Sequence, residues 1–148
     1  MVEAVGYQYY DTYFEVCAQL LKPNGIAFIQ TITIADQRYE KAKRSVDFIQ
    51  RYIFPGSCIP SLTALQNSIT KSSDLKIYNV QDIGDHYART LAFWRKAFFA
   101  KIKEVKALGF DDVFIRMWHF YLAYCEGGFK EKVISDIHLK LVKPGYRN

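Results

Sequence analysis

Gln30 is the residue whose type and setting most directly suggest chemistry, because it interrupts an apolar run. The run IAFIQTITI, residues 26–34, is β-branched and uncharged, and Gln30 lies in line with Phe28 and Ile32 at the spacing of one strand face. A polar side chain on a buried strand face needs a hydrogen-bond partner. An amide donates and accepts hydrogen bonds but does not titrate near neutral pH. Gln30 is therefore a candidate for binding a polar group, and a structural hydrogen bond is the alternative.

Glu3 and Tyr87 are weaker candidates on residue type alone. Glu3 stands in the opening stretch VEAVG, where an acid is ordinarily solvated. Tyr87 stands at the start of a helical segment, where an aromatic ring ordinarily packs in the core. Metal chemistry is not predicted, because cysteines and histidines do not occur at ligand spacing. They are Cys17, Cys58, Cys125, His86, His119 and His138.

The composition indicates one globular domain with an anionic partner. Half of the 148 residues are hydrophobic and 16% are aromatic, which excludes disorder. The net charge of +5 favours nucleic acid, phospholipid head groups or an anionic cofactor, but RNA-binding aromatic motifs are missing and a nucleic-acid partner is not predicted. The sequence has no apolar stretch of bilayer-spanning length and no secretion signal, so we expect a cytoplasmic protein.

The elements that must position these residues follow from periodicity. Apolar residues at helical spacing predict a helix from Tyr10 to Leu21, and the KPNG stretch ends it. The run 26–34 is apolar on both faces, which predicts an interior strand of a mostly parallel sheet. The middle third predicts short helices and loops, and residues 74–83 predict a further strand.

The last third predicts two long helices and a final strand. Gly109 is expected to end the first helix, and Gly127 with Gly128 to end the second. Residues 136–142 alternate between apolar and polar side chains, which predicts a strand with one wet face, as at a sheet edge. The fold class is therefore α/β, with residues 1–148 forming a single partial domain.

Seven linked stretches resemble the family of cyclopropane-fatty-acyl-phospholipid synthases and mycolic acid methyltransferases. They are VEAVG, YDTYF, LLKPNGIAFIQTITI, SVDFIQRYIFPGSCIPSL, DIGDHYARTLAFW, FIRMWHFYLAYCEGGF and the closing strand. They occur in the family's order and cover nearly the whole chain. The resemblance implies the C-terminal part of a Rossmann-like class I methyltransferase sheet with inserted helices. Met1 would then occupy a position that is internal in the family.

The resemblance also implies an activity. Members of the family transfer the methyl group of S-adenosylmethionine to the cis double bond of an unsaturated acyl chain in a membrane phospholipid, and loss of a proton then closes a cyclopropane ring. No glycine-rich strand-to-helix turn occurs in this sequence. Such a turn is what lets a backbone approach this class of cofactor. We therefore expect the N-terminal cofactor-binding strands to be missing and the cofactor site to lie largely outside this chain.

Four site residues are implied by local match to the family, in which a bicarbonate ion takes the final proton. Glu3 in VEAVG matches the family's acid. Gln30 and Ile32 in QTITI match positions that hold the ion by a side chain and by backbone. Tyr87 in DHYARTL matches the tyrosine beside the ion and the developing cation. The best-known members carry histidine at the position of Gln30, so a titrating role there is not implied.

Two other functions remain open on the sequence alone. The chain could be a non-catalytic fragment or a half-enzyme that needs a separate cofactor-binding chain, or it could be a basic membrane-binding module. Phospholipid acyl chains at the inner face of the membrane are the expected partners. An N-terminal half or a second copy of the chain is the expected protein partner, because the run 26–34 would otherwise present an apolar edge.

Overall fold

A computed structural model describes residues 2–147, so the prediction about Met1 lies outside the described residues. Two short 3-10 turns, Val2–Ala4 and Tyr7–Tyr9, precede the main elements. The helices are α1 (Tyr10–Leu20), α2 (Asp36–Lys43), α3 (Phe48–Tyr52), α4 (Leu62–Ser72), α5 (Gly84–Ala100), α6 (Ile102–Ala107) and α7 (Asp112–Lys130). The strands are β1 (Ile26–Ile34), β2 (Lys76–Asp82) and β3 (Ile134–Val142).

The chain divides into two compact units. The first comprises residues 1–83 and 134–148 and contains the sheet, and the second comprises residues 84–133 and contains α5, α6 and α7. The prediction that residues 1–148 form one partial domain stays a prediction.

The sheet of the first unit has the strand order β1-β3-β2, with both pairings antiparallel. The expectation that the last strand lies at a sheet edge is therefore wrong, because β3 is central among the described strands. The prediction of an edge position was based on the more polar face of this strand. Alternation reports which faces are buried, whereas edge position depends on hydrogen bonding in the plane of the sheet.

One face of the sheet packs against helices to form the core of the first unit. Phe14 of α1 and Leu65 of α4 are fully buried there. The other buried apolar residues of this cluster are Val2, Tyr10, Ala18, Ile29, Ile69, Leu75, Ile137, Leu139 and Leu141. Ser61 begins α4 as its N-cap and accepts a hydrogen bond from the Ala64 N–H.

β1 begins and ends where the sequence predicted, but its setting differs from the prediction of two buried faces. Ile29, Thr31 and Thr33 are buried, whereas Phe28 is 63% exposed. Within the described residues β1 pairs with β3 alone, and antiparallel. A parallel partner for β1 stays a prediction.

The second unit is built on α5 and α7. Asp111 caps α7 by accepting a hydrogen bond from the Phe114 N–H at 2.8 Å. The expected break at Gly127 and Gly128 is wrong, because α7 continues to Lys130 and buries Phe129. The expected long helix ending at Gly109 is divided at Lys101 into α5 and α6.

A buried carboxylate joins α5 to α7. Glu126 is 5% exposed and its Oε2 accepts hydrogen bonds from Arg95 Nε at 3.1 Å and Nη2 at 2.8 Å. Lys130 donates to the other carboxylate oxygen. The hydrogen bonds from Lys130 and Arg95 hold the pKa of Glu126 below its usual value.

We expect Glu126→Gln to lower the free energy of unfolding at pH 7 by about 1–2 kcal/mol, since charge-assisted hydrogen bonds are lost and both cations are partly solvent-screened. A depressed carboxyl pKa stabilises the folded state above the unfolded pKa, and this contribution is lost as the pH falls through the folded pKa. The difference in free energy of unfolding between wild type and Glu126→Gln should therefore be smaller in acid. Urea titrations at pH 7 and pH 3 measure this difference. A larger difference at pH 3 would contradict the lowered pKa of Glu126.

Candidate functional site

Two of the candidate residues are held by hydrogen bonds at β1 and β3. The Thr31 hydroxyl donates to Glu3 Oε2 at 3.0 Å, which ties the turn Val2–Ala4 to β1. The Gln30 Nε2 amide donates to Asp136 Oδ2 of β3 at 2.5 Å. This second bond joins residues 106 positions apart in the chain.

The side chain of Gln30 does not lie on the buried face of the sheet, so that part of the prediction is wrong. The core face carries Ile29 and Thr31, and Gln30 points to the opposite face, where it is exposed. Among residues 2–147, α1 and α4 supply the helical packing of the buried face. The predicted hydrogen bond does form, but its partner is a carboxyl group of the chain.

Asp136 was not predicted from the sequence to be a site residue. It is 1% exposed, and among the described residues no donor reaches its Oδ1 atom. Burial raises the pKa of Asp136, and the nearby carboxylates of Glu3 and Asp82 act in the same direction. The hydrogen bond from Gln30 and the proximity of His138 act against them. An acid that begins an alternating strand gives no sequence indication of burial.

The backbone of Ile32 faces the outer edge of β1. The N–H of Ile34 donates to the Pro60 carbonyl at 2.9 Å, outside the pairing with β3. Backbone N–H groups alternate in direction along a strand, so the N–H of Ile32 lies on the same edge as that of Ile34. Ile32 is half-buried and pairs in register with Asp136.

Tyr87 belongs to the second unit, in the first turns of α5. Its ring lies 5.0 Å from that of Phe129 and 6.1 Å from that of Trp94, between ring centroids. Phe129 is buried, whereas Trp94 is 50% exposed. A place for Tyr87 beside the other three residues stays a prediction.

The polar groups of the first unit fit a small oxyanion under one condition. Gln30 and the Ile32 N–H supply donors, but Glu3 and Asp136 supply carboxyl groups that would repel an anion if both were ionised. Burial raises the pKa of Asp136, which favours the neutral form that this condition requires. A glycine-rich turn between a strand and a helix is the expected binding element for S-adenosylmethionine. The junction of β2 and α5 has one glycine, Gly84, and does not form such a turn.

Metal-binding clusters and membrane-spanning helices are both absent from residues 2–147. These residues contain no cluster of three or more side chains that could hold a metal ion. None of their helices combines the length and apolar character needed to cross a bilayer.

Solved structures place this architecture in the class of cyclopropane-synthase methyltransferases. The cyclopropane synthase MmaA2 of Mycobacterium tuberculosis superposes with a TM-score of 0.84 at 25% identity, over 95% of this chain and 52% of that one. The mycolic acid cyclopropane synthase CmaA1, solved in complex with SAH and CTAB, superposes with a TM-score of 0.83 at 27% identity, with the same coverage.

The model of the mycolic acid cyclopropane synthetase family matches residues 1–139, and the chain belongs to that family. The tuberculostearic acid methyltransferase UfaA1 of Mycobacterium tuberculosis is 38% identical over 98% of this chain and 34% of its own length. The cyclopropane-fatty-acyl-phospholipid synthase of Escherichia coli is 35% identical over 91% of this chain and 34% of its own length. The chain thus spans about a third of these curated relatives.

Proposed function

We propose that this chain is the acyl-binding and proton-handling part of an S-adenosylmethionine-dependent lipid methyltransferase. The whole protein would methylate the cis double bond of an unsaturated acyl chain in a phospholipid and form a cyclopropane fatty acid. The observation that carries the proposal is the family match across residues 1–139, with Glu3 and Gln30 held beside the same pair of strands.

The residues would contribute in distinct ways. S-adenosylmethionine would supply a methyl group to one alkene carbon and leave a cation on the acyl chain, and loss of a proton from the added methyl group would close the ring. Glu3, the Gln30 amide and the Ile32 N–H would hold the bicarbonate ion, which supplies a base for that proton. The face of Tyr87 would stabilise the cation without attacking it, an interaction of about 1–2 kcal/mol in a dry site.

The partners follow from this chemistry. A phospholipid substrate requires the protein to meet a membrane surface, so we place it peripherally at the inner face of the membrane, in the cytoplasm. Exposed aromatic side chains of the second unit, Phe93, Trp94 and Phe120, are suited to contact acyl chains. The alternative is a half-enzyme that acts only with a separate cofactor-binding chain or in an oligomer.

A chimera tests the proposal. The matched C-terminal segment of UfaA1 is replaced by this chain, and transfer of isotope-labelled methyl groups to phospholipid vesicles is measured, with unmodified UfaA1 as the positive control. We expect labelled lipid from the chimera and none from residues 1–148 alone. A folded chimera that binds the cofactor but labels no lipid would overturn the proposal.

Simple methylation is a second candidate outcome, which is favoured by the 38% identity to the tuberculostearic acid methyltransferase UfaA1. Gas chromatography with mass spectrometry of the chimera's products distinguishes a cyclopropane ring from a methyl branch. A methyl-branched product would replace ring formation in the proposal and leave the methyl-transfer step intact.

A further inference from the structure

Asp136 forms a hydrogen-bonded pair with Gln30, and its two carboxyl oxygen atoms have different surroundings. Oδ2 is engaged by the Gln30 amide, whereas Oδ1 is buried and meets no donor among residues 2–147. An ionised carboxylate in that setting would leave acceptor sites unsatisfied, which is costly. A neutral carboxylic acid places its proton on Oδ1 and keeps Oδ2 as the acceptor for the amide.

The charges around Asp136 favour the neutral form. The titratable groups facing it are Glu3 from the turn Val2–Ala4, Asp82 from β2 and His138 from its own strand, and β1 contributes the uncharged Gln30. Two of the three facing groups are acids. Asp82 is also engaged by the hydroxyl of Ser135. Within the described part of the chain no ion pair to Asp136 forms, so no cation in direct contact would balance a negative charge on it.

We infer that Asp136 is a protonated positioning residue, which fixes the orientation of the Gln30 amide. Because Oδ2 accepts from Nε2, the Gln30 Oε1 atom is directed away from Asp136 and the second Nε2 hydrogen stays available. The inference rests on the proposed function for its catalytic meaning. A neutral Asp136 does not repel an oxyanion, whereas an ionised carboxylate does.

Infrared difference spectroscopy tests the protonation state without any catalytic assay. Spectra of the chain at pH 7 are compared with those of Asp136→Asn, and Glu15→Gln, an exposed acid of α1, is the matched control. We expect a protonated-carboxyl band in wild type that shifts in D₂O, is lost in D136N and persists in E15Q. A difference spectrum that contains only ionised carboxylate bands would overturn the inference.

The pH dependence of stability gives a second readout. A carboxyl group with a raised folded pKa keeps its full stabilising effect below the unfolded pKa and loses it as the pH rises through the folded pKa. Asparagine has no such loss. The stability of D136N relative to wild type should therefore rise as the pH rises above about 4, the ordinary pKa of an unfolded Asp, and a flat difference would contradict a protonated Asp136.

The chimera separates positioning from packing. D136N keeps an acceptor for Gln30 and an N–H donor in place of Oδ1–H, so its methyl transfer should stay within about threefold of the parent, which is less than 1 kcal/mol. Asp136→Leu removes both and should lose tenfold or more. Equal losses in both variants would contradict positioning. A chimera without any activity would refute the proposed function, while the infrared result would stand on its own.

Discussion

Replacing Leu139 with alanine is expected to lower the free energy of unfolding by about 2–5 kcal/mol. Leu139 is fully buried in the central strand β3, opposite Ile29 of β1 and Val80 of β2. The truncation removes apolar atoms from the core, so their favourable transfer free energy is lost. It also leaves a cavity, because β3 is hydrogen-bonded on both sides and cannot move to fill the space. Equilibrium urea unfolding of the chain, followed by circular dichroism, measures the change.

Leu20→Ala is the matched control for this prediction. Leu20 ends α1 and is 81% exposed, so the same chemical change should alter stability by less than about 0.5 kcal/mol. The comparison isolates burial from residue type. If L139A and L20A cost the same, the packing described for the first unit is wrong.

Glu3→Gln in the chimera is expected to reduce methyl transfer about 100-fold, within the range that acid–base groups contribute. The amide keeps the volume of the side chain and an oxygen that accepts the hydrogen bond from Thr31, so the fold of the turn is retained. An amide does not gain or lose a proton near neutral pH, so the variant removes any acid–base role of Glu3. Initial rates with labelled S-adenosylmethionine and phospholipid vesicles measure the effect.

The control for Glu3 is Glu15→Gln, which removes an exposed acid of α1 and should leave the rate unchanged. Cofactor binding by E3Q should also match the parent, since the cofactor site is expected outside this chain. Full activity in E3Q would remove Glu3 from the site. Loss of cofactor binding would show that the variant disturbs the whole protein.

Much of the secondary structure could be predicted from the sequence, because local pattern controls it. β1 begins at Ile26 and ends at Ile34 as predicted, where the KPNG stretch and an uncharged β-branched run set its bounds. α1 runs from Tyr10 as predicted. Glycine was less informative, since Gly127 and Gly128 stay inside α7, where the burial of Phe129 outweighs their weak helix propensity.

The site could be predicted only in part. Resemblance selected Glu3, Gln30, Ile32 and Tyr87, and their roles stay predictions. Asp136 was missed because its burial depends on a strand that pairs with β3 in space. The exposure of Gln30 was missed because the sequence does not reveal which face of β1 the helices cover.

The sequence by itself determined the α/β class, the bounds of β1 and the family resemblance, all of which depend on residues close together in the chain. Only the tertiary structure decided that β3 is central and that Gln30 donates to Asp136, 106 residues away. Strand order and the burial of single polar groups are set by long-range pairing. A buried acid is chemically different from a solvated one because water no longer stabilises its charge.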